Sequence, residues 1–268
     1  MARKYAPQIL MLALRSCRHH MHFSPALNKP HPNEIGADNP LDSDHYERSD
    51  AVILGVKLST SSSTLSVSKP DPHFHLVLTV SFLHSPRPNS SFTISTGRSV
   101  LDPDFDTRGA FRLVCEADEK QSLRLSPETE PHYAYQPTEN RDLKTIEWLK
   151  FITIPASGTV QIELPLPLER ILRANDDVKR EDMKPGTKYR VWMKQALLHF
   201  PYSYWGNLGG DLKDKKLSDR MSPETGKLSE AEEDECKALE RKGWVFDQGR
   251  VQALGNVGRH GPEFVLEE

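Results

Sequence analysis

Cysteine is scarce in this chain: the 268 residues include three, Cys17, Cys115 and Cys236. An odd number, widely spaced and without a Cys-x-x-Cys pair, excludes a fully paired disulfide framework, a zinc ribbon and a dithiol redox motif. Three unpaired thiols fit the reducing interior of a cell, with Cys115 expected in a core strand. An excess of one charge is also lacking. Lys plus Arg number 35 and Asp plus Glu 38, a net charge of -3, with a pI near 6.4. A general nucleic-acid binder normally carries a basic excess, so no nucleic-acid partner is expected. The apolar run at the amino terminus, Ile9 to Leu14, is stopped by Arg15. It is too short for a transmembrane helix, and no membrane span is expected.

Acidic residues are missing from Met1 to Asn33, where Arg3, Lys4, Arg15 and Arg18 are found. An acid-free, Arg-bearing leader has the charge pattern of a mitochondrial presequence, although serine is sparse. The expectation is a disordered leader and linker over residues 1–48 in a cytoplasmic protein, with the mitochondrion as the alternative. A mean hydropathy of -0.59 agrees with part of the chain staying unpacked.

Catalytic signatures are missing too. There is no Gly-x-Ser-x-Gly elbow, and the run from Gly206 to Asp211 lacks the Lys-Ser/Thr of a phosphate-binding loop. No cofactor is implied, and the reading leans away from an enzyme.

What is present is period-2 patterning. Val52, Leu54, Val56 and Leu58 alternate with small or polar residues, and Phe74, Leu76, Leu78, Val80 and Phe82 occupy every second position. That spacing places each set on one face of a sheet. Shorter strand patterns follow at Leu65–Val67, Phe92–Ile94, Phe111–Cys115, Leu123–Leu125, Ile146–Ile154 and Val160–Leu164. Helical spacing is almost absent before residue 168, so crossover helices for a parallel sheet are missing. The pattern predicts an all-β, antiparallel β-sandwich over residues 49–210. A charged loop with a short helix is expected at 211–243, with Ser229 and Glu232 forming a capping box and Gly243 the helix stop. A returning segment at 244–268 carries a possible edge strand.

The stretch "MKPGTKYRVW" reads as scaffold. Pro185 and Gly186 make a turn, and Tyr189 enters a late strand, where its hydroxyl is expected to tie the corner to an upstream backbone group.

Three constellations could carry chemistry. Tyr202, Tyr204 and Trp205 are aromatics of the kind that dominate interfaces and sugar-stacking platforms, and that also plug the end of a sandwich. His73 and His75 lie two apart on a strand, a spacing able to chelate zinc or copper, with His84 and His132 as candidate third ligands. No metal site is expected, because both histidines would face away from the core. Asp102, Asp104 and Asp106 alternate as calcium ligands can, but without the glycine and distal glutamate of an EF-hand, and read better as a turn.

The stretches "LTVSFLHSPRPNSSFTIS" (78–95), "PGTKYRV" (185–191), "YWGNLGGDL" (204–212) and the terminal "PEFVLEE" resemble an uncharacterised filamentous-fungal family with an immunoglobulin-like β-sandwich. The resemblance implies that fold, with Tyr189, Pro185 and Gly186 as structural residues, and implies no activity. The functional expectation is therefore a non-catalytic intracellular module acting through a protein partner. The alternative is a small-ligand or carbohydrate-binding sandwich using Tyr202, Tyr204 and Trp205. A metal-dependent enzyme using His73 and His75 comes last.

Overall fold

The computed structural model describes residues 51–68, 74–102, 109–118, 122–125, 141–194, 197–224, 228–249, 251–255 and 261–268. The leader lies outside the described residues, as do His73, His132, Asp104 and Asp106. Strands dominate. In chain order they are β1 (Val52–Thr60), β2 (Thr64–Ser66), β3 (His75–His84), β4 (Phe92–Ser95), β5 (Phe111–Cys115), β6 (Ser122–Arg124), β7 (Phe151–Ile154) and β8 (Thr159–Pro165). After helix α1 (Leu168–Arg173) come β9 (Lys188–Met193), β10 (Ser203–Trp205) and β11 (Lys216–Met221). Helix α2 (Glu230–Glu240) precedes β12 (Trp244–Asp247), β13 (Val251–Gly255) and β14 (Glu263–Glu267).

Two larger sheets have the orders β13-β1-β3-β8 and β2-β14-β9-β5-β6. The alternating apolar residues explain why they meet. Leu54, Val56 and Leu58 of β1, Leu76, Leu78 and Val80 of β3 and Leu164 of β8 all point inward, as do Leu113, Val191, Phe264 and Leu266 of the other sheet. They form one shared, sandwich-like core, with the Phe74 and Phe264 rings 4.9 Å apart. A fully buried leucine contributes about 2 kcal/mol of apolar transfer, so the core outweighs any single polar contact described below. Strand β4 sits in a third sheet, β10-β4-β7, and adds Phe92 and Ile94 to the same core.

The sheets are not purely antiparallel. The pairings β1–β3, β3–β8, β5–β9 and β9–β14 are antiparallel, whereas β1–β13 and β2–β14 are parallel. The physical reason is chain return. The carboxy-terminal strands dock beside the first strand of each sheet, and so long a connection permits the parallel direction that a hairpin forbids. The strand at the terminus is therefore no edge strand, because β14 lies between β2 and β9. The two large sheets take strands from beyond residue 210, which the sequence pattern placed outside the sandwich.

The charged stretch is also more than a loop with a helix. Strand β11 pairs in parallel with β12, and Leu212 and Leu217 are buried in a second cluster with Leu143, Ile146, Leu149 and Tyr204. Helix α2 has the expected capping box, with Ser229 N–H donating to Glu232 Oε2 at 2.8 Å, and Gly243 takes φ +86° at the helix stop. Its buried Cys236 packs with Trp244 and Phe246.

Pro185–Gly186 forms the expected turn. Thr187 N–H donates to Lys184 O at 3.1 Å, and Gly186 has φ +85°, as the third residue of a type II turn requires. Gly186 N–H and Leu266 N–H also bond across to Leu266 O and Thr187 O at 2.8 and 2.9 Å, docking the turn on β14. Tyr189 is buried and stacks on Phe264, with ring centroids 6.0 Å apart. Its hydroxyl does not reach a backbone group. It points to Met183 Sδ at 3.9 Å, a weak acceptor, and burial pushes its pKa up. The corner tie read from the sequence is thus absent, and the ring alone does the packing. Tyr189→Phe is accordingly expected to change stability by less than about 0.5 kcal/mol, half the net value of an ordinary buried hydrogen bond. A larger loss in denaturant titration would show that the thioether contact matters.

Candidate functional site

The aromatic stretch is divided between two sides of one strand. Strand β10 pairs with β4 in the register Tyr204↔Thr93 and Trp205↔Phe92. Alternation then sends neighbouring side chains to opposite faces. Tyr204 is 0% exposed, donates its hydroxyl to Ser218 O at 2.7 Å and meets the Phe151 ring edge-on at 6.1 Å. Burial raises its pKa far above the usual phenol value. Trp205 instead meets Phe92 at 4.7 Å, with the Arg87 guanidinium 5.1 Å from its ring centroid. Tyr202 is half-buried against the second cluster. The three do not form a row, and Tyr204 offers no face to a ligand.

His75 is half-buried near the start of β3 and His84 is exposed at its end. They are the two ends of the ten-residue strand, on the order of 30 Å apart, so they cannot share an ion. Among the described residues, no group of three or more His, Cys, Asp or Glu side chains could hold a metal.

A tightly built turn follows β4. Thr96 N–H and Gly97 N–H donate to Leu149 O at 3.0 and 2.9 Å. Arg98 and Lys150, on the two sides of this contact, have φ +65° and +44°. Both are left-handed, which costs a side-chain-bearing residue about 1–2 kcal/mol. Asp102 holds both: it accepts from Arg98 N–H at 3.3 Å and from Lys150 Nζ at 2.8 Å. The Arg98 guanidinium lies 4.5 Å from the Trp148 ring centroid. Trp148 itself sits in a short 3-10 turn (Glu147–Leu149) where the sequence pattern read a strand. This turn is a clamp between β4 and β7.

Asp247, at the end of β12, is a second polar centre. Its Oδ1 accepts from Ser203 N–H at 2.7 Å and Gly249 N–H at 3.2 Å, inside a buried site. Burial pushes its pKa up, against the pull of those backbone donors. A raised folded-state value means that the folded chain holds this proton more tightly than the unfolded one. The associated stability is complete below the unfolded carboxylate pKa and is lost as pH rises through the folded value. Wild type is therefore expected to lose stability relative to Asp247→Asn as the pH rises above the unfolded carboxylate value of about 4. Asp247→Ala should cost about 2 kcal/mol, because the backbone donors lose their acceptor. Parallel pH dependences for wild type and the Asn variant, in thermal melts, would contradict the assignment.

The outer face of the five-stranded sheet carries the remaining chemistry. Inward residues alternate with Arg112 and Val114 on β5, Lys188, Arg190 and Trp192 on β9, and Glu263 on β14. Arg190 Nε donates to Glu263 Oε1 at 2.9 Å, and Lys188 Nζ lies 2.8 Å from Glu263 Oε2 and 3.2 Å from Glu116 Oε2. Lys188, then Arg190, hold the Glu263 carboxyl below its usual pKa. These charges are matched.

The next row joins a tryptophan and two arginines. Trp192 lies directly opposite Arg112, which lies directly opposite Arg124. Arg112 Nε and Trp192 Nε1 are buried and have no hydrogen-bond partner. Arg124 is fixed at its backbone by Asn175, whose Oδ1 accepts from Arg124 N–H at 2.9 Å while its Nδ2 donates to Arg124 O at 3.0 Å. Arg112 and Arg124 are like charges directly opposite each other on paired strands, an arrangement that is destabilising by itself. Sequence reading missed this row because its members belong to three separate strands. The signal was the polar half of the same period-2 patterns that located the core.

No helix among the described residues is long and apolar enough to cross a membrane. No protein-family model, curated protein or solved structure matches the chain.

Proposed function

We propose that this chain is a non-catalytic β-sandwich module, immunoglobulin-like and of the fungal family it resembles, that works in the cytoplasm by binding a protein partner. The observation that carries this reading is the Trp192–Arg112–Arg124 row on the outer sheet face. Trp and Arg are the residue types that dominate protein-interface energetics, and the buried donors Arg112 Nε and Trp192 Nε1 have no acceptor within the chain. The free, buried Cys115 and Cys236 agree with a reducing compartment. The sugar-stacking alternative has less support, because Tyr204 is enclosed by the second cluster.

Affinity capture of the intact protein from its native cells, wild type beside Arg112→Gln, tests the proposal. A partner retained by wild type and lost by the variant is the expected result. Identical captured sets, with Arg87→Gln as a control beside Trp205, would overturn it.

A further inference from the structure

We infer that Ser85 is a phosphorylation site: it takes a phosphoryl group from a proline-directed serine/threonine kinase, and the phosphate then draws Arg87 away from Glu224. The observations come from the loop that joins β3 to β4, apart from the outer-face row. Ser-Pro occurs at residues 24–25, 85–86, 126–127 and 222–223. Kinases of this class accept serine only where proline follows, because proline presents no N–H to the pocket that receives it. Residues 24 and 126 lie outside the described residues, which leaves Ser85 and Ser222 to compare. Ser222 is 5% exposed, and its N–H donates to Asp247 O at 2.6 Å. Ser85 is half-buried, but His84, Pro86, Arg87, Pro88 and Asn89 around it are all exposed. The hydrogen bonds described inside this loop are local. Arg87 N–H donates to Ser85 Oγ at 3.2 Å, and Ser90 N–H donates to Arg87 O at 3.0 Å. Opening these two lays out an extended segment while the ladders of β3 and β4 stay intact. Pro86 already biases Ser85 toward extended backbone.

Transfer joins Ser85 Oγ to the γ-phosphorus of ATP and breaks the bond from that phosphorus to the bridging oxygen, so that ADP leaves. The hydroxyl proton passes to the catalytic aspartate of the kinase. The product carries a charge of about −1.5 to −2 at neutral pH, two residues from a guanidinium. In the unmodified chain, Arg87 Nη2 lies 2.5 Å from Glu224 Oε2, and the guanidinium is 5.1 Å from the Trp205 ring centroid. The side chains of this ion pair are 43% and 64% exposed, and exposed pairs contribute little. A phosphate brings more charge than a carboxylate, and three acceptor oxygens for the arginine fork. The Ser85 hydroxyl already faces the Arg87 backbone. The guanidinium therefore exchanges partners and releases Glu224, which lies just beyond β11.

The test incubates the full chain with ATP, magnesium and a purified proline-directed kinase, and maps the sites by tandem mass spectrometry. Phosphate on most copies of Ser85 and none on Ser222 is the expected result, and Pro86→Ala should abolish the modification at Ser85. Phosphorus NMR then follows the second ionisation of the phosphate, with Ser85→Ala identifying its signal. The pKa should fall about half a unit below the ordinary value near 6. Arg87→Gln should restore the ordinary value, and Arg87→Lys should keep part of the shift. Glu224→Gln should lower the value further, because the competing carboxylate is gone. Circular dichroism checks that each variant folds, and the Lys variant keeps the test decisive if the Gln variant does not. Protein isolated from its native cells under phosphatase inhibition should carry the same mark.

An unmodified Ser85, in the purified reaction or in protein from cells, would overturn the inference. So would modification that survives Pro86→Ala. Equal modification of Ser222 would overturn it as well, since access in the fold would then not select the site. A phosphate whose pKa does not respond to Arg87→Gln would overturn the exchange with Glu224.

Discussion

Gly97→Ala is expected to destabilise the protein by on the order of 3 kcal/mol, at the upper end of ordinary overpacking costs. A Cβ built on Gly97 would lie 2.0 Å from Trp148 O and 3.1 Å from Leu149 Cα. Both contacts are backbone, so no side chain can swing away. Nor can the backbone move cheaply, because Gly97 N–H is bonded to Leu149 O and the neighbouring Thr96 N–H reaches both Leu149 O and Lys150 O. Separating the two segments would break these backbone hydrogen bonds of the clamp. The requirement is for room, which a comparison makes visible. Gly186 has φ +85° and nothing within 4 Å of an added Cβ, so Gly186→Ala should cost only the left-handed penalty of about 1 kcal/mol. Denaturant unfolding of the two variants side by side checks the claim. A Gly97→Ala loss no greater than the Gly186→Ala loss would mean that the clamp yields.

The layers of the fold were legible where one face of a strand is apolar and the other polar. β1, β3, β5, β8 and β9 were readable for that reason, and Phe74, Leu76, Leu78 and Val80 are buried as the alternation implied. Strands without such contrast escaped. β10 has three residues, of which Ser203 and Tyr204 are buried, so it shows no alternation. β11, with the sequence KLSDRM, buries Leu217 and Ser218 side by side and looks like solvated charge. The direction of pairing was illegible for another reason: β13 and β14 find parallel partners almost a whole chain length away, and no local pattern records that. For the site, the aromatic run drew attention because aromatics are rare, yet their place in the strand assigned Tyr204 to packing. The Trp192–Arg112–Arg124 row needed the register before its members became neighbours.

Replacing residues 213–241 by a short Gly/Ser linker is expected to lower the melting temperature by about 10 °C or more. Loop shortening itself has little effect, since closure entropy depends weakly on length. The loss comes from what the segment covers. Leu217 is 0% exposed and belongs to the second cluster, and its removal forfeits about 2 kcal/mol of apolar burial. Ser218 O is the acceptor for the Tyr204 hydroxyl at 2.7 Å. A buried hydroxyl left without its acceptor costs a further 1–3 kcal/mol, roughly. Asp142 Oδ1 loses Leu217 N–H, a contact of 3.0 Å. Helix α2 takes Cys236 from Trp244 and Phe246, which then face water. The sum is about 5 kcal/mol, comparable with the whole stability of a marginal domain. Two point variants apportion it. Leu217→Ala should account for about 2–5 kcal/mol, and Tyr204→Phe in the deletion background should restore part of the loss, because it removes the orphaned hydroxyl. A deletion melting within about 2 °C of wild type, less than a 1 kcal/mol change would produce, would show that the second cluster holds without its cover. A rescue by Tyr204→Phe would show instead that the charged stretch is retained to satisfy one buried hydroxyl as well as to bury one leucine.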